Sequence, residues 1–162
     1  MEICEITEKL DSYDMAILKA LQSDGRLSVA DLAKRIHLSA TPCTTRLRRL
    51  EKLGFIDGYF AHLSPTLLDN DLLAFLQVRL SATDESTLTS FNRAVINIPQ
   101  IQECHMVGGG FDYLLKIRVK DMDAFRYFLA RVVSRLPEIE NTHSYFVMEQ
   151  VKETTKLALD QA

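Results

Sequence analysis

The sequence has no tryptophan and no long apolar run, and its cysteines are few and isolated. None of its apolar stretches approaches the ~18 residues that a membrane-crossing helix needs, so no membrane association is expected. The opening MEICEITEKL has neither the basic start nor the apolar core of a secretory signal, which predicts a cytoplasmic protein. With 47% hydrophobic and 25% charged residues among 162, the composition is that of a globular chain.

Metal-binding patterns are also missing. Cys4, Cys43 and Cys104 include no close pair, and the four histidines are equally scattered, whereas structural zinc sites use closely spaced ligands. The neighbours Cys104 and His105 would point to opposite faces of a strand. We therefore expect no metal and no cofactor, and we predict three reduced, mostly buried thiols.

Charge is nearly balanced, with a formal net charge of −3, so the chain as a whole is not expected to hold phosphates by electrostatics alone. Within residues 1–60, however, acids crowd toward the start and bases crowd toward residues 34–52. This asymmetry predicts a basic face on the N-terminal part of the chain.

Two short helices with N-terminal capping signals are predicted in that part. Asp11 is followed three residues later by Asp14 in capping-box position, and the first helix should stop at Asp24. Ser28 and Asp31 repeat the signal for a second, shorter helix. Apolar residues at helical spacing follow each cap, which indicates that both helices pack against a common core.

A third helix is predicted to begin at Ser39 and to end at Gly54. At about 100° per residue, its apolar side chains share one face and its hydroxyl and basic side chains share the other. A basic helix that follows a helix and a short turn is typical of the helix-turn-helix, which places the later helix in the major groove of double-stranded DNA. A merely solvated basic face is the alternative. The residues predicted to contact DNA are Ser39, Thr41, Thr44, Thr45, Arg46, Arg48, Arg49 and Lys52.

The chain changes its periodicity after the third helix. Residues 55–59 are predicted to form a short strand with a turn, either a wing or the beginning of a linker. The later pattern is strand, helix, strand, strand, helix, strand, which is the ferredoxin-like order. These elements are predicted at residues 72–80, 84–98, 101–107, 111–119, 121–136 and 142–151. We therefore predict an α+β chain with a winged helix-turn-helix domain at 1–60 and a ferredoxin-like βαββαβ domain at 61–162.

Catalytic patterns are missing from the second half. No serine or cysteine lies near a credible activating base, and no phosphate-binding or dinucleotide fingerprint is present, so an enzyme is not expected. The strand at 72–80 is apolar on both alternating faces, and the face without helices must also be covered. A second copy of the sheet is the simplest cover, which predicts a homodimer.

Three stretches together resemble the Lrp/AsnC family, the leucine-responsive or feast/famine transcription regulators. They are the LDxxDxxILxxLQxDGR pattern at Leu10 to Arg26, the LSxTPCxxRxRRLExxGFI pattern at Leu38 to Ile56, and the segment IQECHMVGGGFDYLLKIRVKDMDAF. The resemblance covers nearly the whole chain. It implies a sequence-specific DNA-binding regulator that forms dimers or larger assemblies, an octamer among them, and that responds to a free amino acid.

The resemblance also implies where the amino acid binds, namely at the turn between the second and third strands. The residues it points to are Glu103, His105, Val107, Gly108, Gly109, Gly110, Asp112 and Tyr113, with Asp121, Thr142 and Ser144 at the rim. The glycines would let backbone groups approach the ligand closely, although a tight hairpin turn alone would also use them.

One departure from the family pattern concerns the ligand. Many relatives have Asp where this chain has Gly110, so recognition of the ligand's ammonium group would weaken or pass to Asp112 or Glu103. The surrounding strands are rich in Val, Leu, Met and Phe, which favours an aliphatic amino acid such as leucine or methionine. Two other functions remain open: an architectural DNA-binding protein without an effector, and a metabolic enzyme or ligand carrier with an assembly module in front.

Overall fold

The computed structural model describes residues 9–159, and the chain divides into two compact units. The first, which we call the head unit, contains residues 9–62 and 153–159 of the described part. The second, the sheet unit, is Leu63–Lys152. The chain therefore passes between the units twice. By this division residues 153–159 group with the head unit, whereas the sequence prediction placed them in the domain at 61–162.

The first helix of the head unit, α1, spans Ser12–Ser23 and begins with the predicted capping box. The Asp14 amide donates to the Asp11 side chain at 2.9 Å, and the Asp11 amide donates to the Asp14 side chain at 3.2 Å. Two first-turn amides are thereby satisfied. The bond from the Asp14 amide, with a smaller effect of Arg46, lowers the pKa of Asp11 below its usual value. The cap is therefore charged at neutral pH.

Two further helices complete the head unit and form the predicted helix-turn-helix. α2 spans Val29–Arg35, and α3, which we call the reading helix, spans Ala40–Lys52. The Ser28 hydroxyl caps α2 by accepting from the Asp31 amide at 3.1 Å. Gly54 ends the reading helix at φ +77°, a backbone conformation that suits glycine, so this end signal is confirmed.

The core of the head unit is formed by all three helices. Its buried apolar residues are Ile17, Ala20, Leu32, Ala33, Ile36, Cys43 and Leu50. Phe55 and Ile56 pack against this core from beyond the reading helix. The prediction of a short strand at 55–59 is wrong, because these residues do not form a strand.

The cysteines are unpaired thiols as far as the structure describes them. Cys43 is a buried free thiol and Cys104 is half-buried, while Cys4 lies outside the described residues.

A buried carboxylate joins α1 to the reading helix. The Asp14 side chain is fully buried, and it accepts hydrogen bonds from Arg46 Nη1 at 2.9 Å and from Arg49 Nη2 at 2.6 Å. Arg46 Nη1 also contacts Asp11 at 2.6 Å, and its guanidinium lies 5.5 Å from the centre of the Tyr13 ring. Burying a carboxylate is costly unless it is paired and hydrogen-bonded, and this cluster supplies both conditions. The reading helix is therefore fixed against α1.

The sheet unit has the predicted order of elements. A single 3₁₀ turn precedes them at Thr66–Leu68 and another follows the last helix at Val133–Arg135. The elements are β1 (Leu72–Leu80), α4 (Glu85–Val95), β2 (Ile101–Met106), β3 (Tyr113–Val119), α5 (Met122–Arg131) and β4 (Ile139–Phe146).

The four strands form one antiparallel sheet in the order β2-β3-β1-β4. One face packs on α4 and α5, and its core includes Leu76, Leu115, Phe91 and Phe125. We call the opposite side, to which the alternate residues of each strand point, the open face. Phe75 of β1 is one such residue and is half-buried there. The two-sided apolar character predicted for β1 is thus present in the structure.

Three elements of the sheet unit end three to five residues before the predicted position, and β4 also begins at Ile139, three residues before its predicted start. α4 stops at Val95 rather than residue 98, and α5 stops at Arg131 rather than 136. Each predicted end is followed by a proline, which disfavours helical backbone at the residue before it, and a 3₁₀ turn at Val133–Arg135 replaces the last predicted turn of α5. β4 ends at Phe146 rather than 151, because its partner Ala74 lies near the start of β1 and little strand remains to pair with.

We predict that Asp14→Asn destabilises the head unit by about 1–3 kcal/mol, because it weakens the charge-assisted bonds to Arg46 and Arg49. Native-state hydrogen exchange of the buried Ile17 and Leu50 amides measures this loss without interference from the sheet unit. Asp57→Asn, at an exposed aspartate beyond the reading helix, is the matched control. Equal protection in both variants would contradict a stabilising role for the cluster.

Candidate nucleic-acid interface and effector site

The reading helix has two chemically different faces. Cys43 and Leu50 are fully buried, whereas Thr45 and Arg48 are exposed on the other side. A guanidinium and hydroxyls on one exposed face can reach both base edges and phosphates in a major groove. The described residues that share this exposure, among those predicted to contact DNA, are Ser39, Thr41, Thr45, Arg48 and Lys52.

The hydroxyl groups of the reading helix are partly used within the helix. Thr44 donates to the Ala40 carbonyl at 2.8 Å, and Thr45 donates to the Thr41 carbonyl at 3.2 Å. Each hydroxyl keeps its acceptor lone pairs for an outside donor, such as a base amino group. Ser39 occupies the N-cap position, but its side chain makes no capping bond.

Arg46 and Arg49, which the sequence predicts to contact DNA, also form contacts within the head unit. Their guanidinium groups bind the buried Asp14, and so they hold the reading helix in place. On a helical wheel Arg46 lies about 60° from Cys43 and Arg48 about 140° from it. This difference in angle could have distinguished Arg46 from Arg48 in the sequence. No local pattern, however, identifies Asp14, 32 residues from Arg46, as the partner of Arg46.

The end of α2 carries exposed bases that the site prediction left out. Lys34 and Arg35 lie in its last turn, directly before the turn that leads to the reading helix. The crowding of bases in residues 34–52 was the available signal. Their position makes them candidates for phosphate contacts rather than for reading bases.

Part of the predicted effector site lies together on the open face. Glu103 and His105 pair with Lys116 and Leu114 across the β2–β3 ladder. The Glu103 carboxylate accepts from Lys116 Nζ at 2.9 Å and lies 3.1 Å from His105 Nε2. These bonds, chiefly the one from Lys116, lower the pKa of Glu103. Sequence reasoning missed Lys116, since only the register between the strands brings it opposite Glu103.

The glycine turn between β2 and β3 is open. A Cβ on Gly108, Gly109 or Gly110 would meet nothing within 4 Å, so the glycines are not needed to avoid a clash. Gly109 has φ +154°, which favours glycine. The turn is closed by the bond from the Val107 amide to the Asp112 carbonyl at 2.9 Å. Space for a ligand therefore exists beside exposed backbone.

Asp112 is anchored beside this turn. Its carboxylate accepts from the Leu80 amide at 2.8 Å, and its own amide donates to the Val78 carbonyl at 3.0 Å. One carboxylate oxygen is thus occupied in holding the turn to the end of β1. Of the two acids predicted to bind an ammonium group, Glu103 is the more exposed.

Four other predicted effector residues lie elsewhere in a single chain. Tyr113 is buried and packs on Phe91 with ring centres 4.6 Å apart. Thr142 and Ser144 pair with Val78 and Leu76 of the core, so they lie on the helix-covered face rather than on the open face. The family resemblance placed these three residues in the effector site, but the sequence alone could not show which face of the sheet each of them occupies. They do not share a single-chain pocket with Glu103.

Asp121 is also separated from the glycine turn. Its side chain caps α5 by accepting from the Ala124 amide at 2.8 Å. It follows the far end of β3, and a strand of 7 residues, the length of β3, spans about 20 Å. Within one chain Asp121 therefore lies too far from Gly108–Gly110 to contact the same small ligand.

Among residues 9–159, no helix is long and apolar enough to span a bilayer. Over the same residues, no three His, Cys, Asp or Glu side chains form a group that could hold a metal ion.

Comparisons with known families match both units. Residues 10–57 match the model described as winged helix-turn-helix DNA-binding. Residues 73–157, more than half of the chain, match the model described as the Lrp/AsnC ligand binding domain.

Curated relatives are similar over nearly their whole length. The chain is 49% identical to the leucine-responsive regulatory protein of Escherichia coli, over 93% of this chain and 92% of that one. It is also 49% identical to the proline dehydrogenase transcriptional activator of Rhizobium radiobacter, over 91% and 95% of the two chains.

Solved structures share the fold. A transcriptional regulator from Neisseria meningitidis in complex with L-methionine is 34% identical, with a TM-score of 0.88 over 94% of this chain and 98% of that one. An AsnC family transcriptional regulator from Agrobacterium tumefaciens is 37% identical, also with a TM-score of 0.88, over 93% and 97%. These matches confirm the predicted α+β architecture.

We predict that Lys116→Gln raises the pKa of Glu103 toward the ordinary value of about 4.3, because the strongest hydrogen bond to its carboxylate is weakened. A carbon-13 NMR titration of the Glu103 carboxyl group measures the shift. Lys152→Gln, at an exposed lysine beyond β4, is the control and should leave the pKa unchanged. An unchanged Glu103 titration in Lys116→Gln would contradict the assigned contact.

Proposed function

The chain belongs to the Lrp/AsnC family of DNA-binding transcription regulators, and we propose that its exposed reading-helix face contacts the operator while an amino acid bound on the sheet unit modulates that contact. The chain is a regulator and not an enzyme, as its relatives' descriptions indicate. The single observation that carries the proposed DNA contact is the exposure of Thr45 and Arg48 opposite the buried Cys43 and Leu50. A cytoplasmic location follows from the proposed ligands, DNA and free amino acids.

The proposed DNA contacts divide by chemistry. Arg48 and Thr45 point outward from the middle of the reading helix and are the candidates for reading base edges. Ser39 and Lys52 lie at its two ends, where phosphate contacts are usual. Arg46 and Arg49 support the helix through Asp14, and their partly exposed guanidinium groups contribute positive charge at the edge of the face.

We propose that two copies act together. The open face has half-buried apolar residues, Phe75 and Leu114, beside the exposed Tyr145. Covering such a face with a second copy would remove apolar area from water. A dimer would also place two reading helices on two half-sites of DNA. Larger assemblies, including an octamer, are part of the same proposal.

We propose an aliphatic amino acid, leucine or methionine, as the effector. The neighbours described as leucine-responsive and as a complex with L-methionine support this choice. In this chain the ammonium group would bind Glu103 in place of the carboxylate that Gly110 lacks. The exposed backbone of Gly108 to Gly110 would receive the ligand's carboxylate. His105 of β2 and Val107, directly after that strand, would line the same site.

Effector and DNA would influence each other through linkage. If the amino acid binds one assembly state more tightly, it shifts the population toward that state and changes how well the reading helices match spaced half-sites. A coupling of about 1–3 kcal/mol would change DNA occupancy from several-fold to more than a hundredfold.

We predict that Arg48→Ala weakens operator binding by about 1–3 kcal/mol and relaxes the base preference at one position, because one guanidinium contact to a base edge is lost. Gel shifts with the operator and with operators substituted at single base pairs measure both effects. Arg93→Ala, at an exposed arginine in the last turn of α4, is the control. Effector affinity should not change in either variant. Equal operator binding by the native chain and by Arg48→Ala would contradict the assigned DNA contact.

A second prediction concerns the ligand. Calorimetry with the twenty amino acids should give heat for leucine or methionine, and Glu103→Gln should weaken that binding about tenfold or more by removing a charge-assisted bond. Glu140→Gln, at an exposed glutamate of β4, is the matched control. An absence of heat for every amino acid would instead favour the architectural DNA-binding alternative.

A further inference from the structure

The C-terminal segment packs on the head unit, far in sequence from the residues that hold it. We call Glu153–Leu159 the strap. The Gln22 side-chain amide, near the end of α1, donates to the Leu157 carbonyl at 2.8 Å, and the Leu157 amide donates to the Gln22 side-chain oxygen at 2.8 Å. One glutamine thus satisfies both backbone groups of one strap residue, as a neighbouring strand would.

A cleft lies between the strap and the rest of the head unit. The space that remains in it is about 350 Å³, and α1 contributes Leu18 and Leu21 to its wall while the stretch after the reading helix contributes Phe55 and Ile56. The strap contributes Thr155, Leu157 and Leu159 to the same cleft. Every second residue of the strap therefore lines it, which is the side-chain period of an extended segment docked along a surface.

A weaker contact supports the start of the strap. His62 Nε2 lies 3.8 Å from a Glu153 carboxylate oxygen, at the point where both chain crossings reach the head unit. His62 is the last head-unit residue before the sheet unit, and Glu153 is the first after it. The head unit is consequently connected to the sheet unit by two covalent segments, one leaving after the reading helix and one arriving in the strap.

We propose that the strap, by docking in this cleft of its own head unit, couples effector binding in the sheet unit to DNA binding by the reading helix. This inference rests on the proposed function. The cleft is lined by Phe55 and Ile56, which also pack on the core that seats the reading helix. Asp112 beside the glycine turn is bonded to the end of β1, β1 pairs with β4, and β4 leads into the strap through residues 147–152. Docking or release of the strap therefore changes packing beside the reading helix.

The strap is held lightly enough to act as a switch. Leu157 remains 70% exposed although its backbone is bonded on both sides. The strap has no helix or strand hydrogen bonding of its own. Segments with few buried contacts open at low free energy, so a ligand of modest differential affinity can shift the docked population.

Two variants test the docking directly. Gln22→Ala removes both bonds to Leu157, and Gln22→Glu keeps the acceptor but replaces the donor by a carboxylate that repels the Leu157 carbonyl. Ser23→Ala, at the next residue and outside the cleft, is the matched control. Hydrogen exchange of the full-length protein should show a protected Leu157 amide in the native chain and in Ser23→Ala, and lost protection in both Gln22 variants. An unprotected Leu157 amide in the native chain would overturn docking.

The coupling is tested by operator affinity with and without L-leucine and L-methionine. In the native chain and Ser23→Ala the effector should change affinity several-fold, whereas in both Gln22 variants and in a chain ending at Lys152 the change should fall below about twofold. Calorimetry should still show amino-acid binding in all of them, with an affinity that differs from the native value by no more than the several-fold factor that the linkage allows. An undiminished effector response in the Gln22 variants would overturn the inference, even if the shortened chain fails to fold.

The two proposals fail in different ways. A native chain that binds no DNA or responds to neither amino acid contradicts the proposed function, while its Leu157 protection still reports whether the strap docks. A native chain that responds normally, together with Gln22 variants that respond equally, contradicts only the coupling role of the strap.

Discussion

The buried carboxylate of Asp14 is the contact on which the placement of the reading helix depends. A charge with no solvent exposure needs opposite charges and hydrogen bonds, and Arg46 and Arg49 supply both at 2.9 Å and 2.6 Å. The two arginines lie one turn apart on the same helix, so their bonds to one carboxylate fix its rotation as well as its distance from α1. The direction in which Thr45 and Arg48 point is a consequence of that restraint.

The sequence was sufficient for the parts of the head unit that depend on local patterns. The capping residues Asp11 and Ser28, the end at Gly54 and the two faces of the reading helix all follow from spacing within one or two turns. The separate roles of Arg46 and Arg48 depend instead on Asp14, which lies on another helix. Basic residues that look equivalent in sequence therefore divide into a supporting set and an exposed set only after folding.

In the sheet unit, too, local sequence patterns do not determine where every predicted site residue lies. Alternation along a strand places Glu103 and His105 on one face, but the face of Thr142 depends on how β4 pairs with β1. A shift of one residue in pairing would exchange the two faces, and no local signal sets that register here. The site residues that family resemblance placed in one group consequently lie on both faces of the sheet in a single chain.

Each unit has its own core, and two chain segments connect the units. A structural change in one unit can therefore reach the other by few routes. Within each unit the tightly packed interior resists small displacements, and the Asp14 cluster would cost too much to open for a ligand of ordinary affinity. The strap differs, because the two hydrogen bonds of Gln22, the weaker contact between His62 and Glu153, and a partly filled cleft hold it. A coupling of about 1–3 kcal/mol matches contacts of that strength. The head unit thus combines a rigidly seated reading helix with one contact weak enough to respond to the sheet unit.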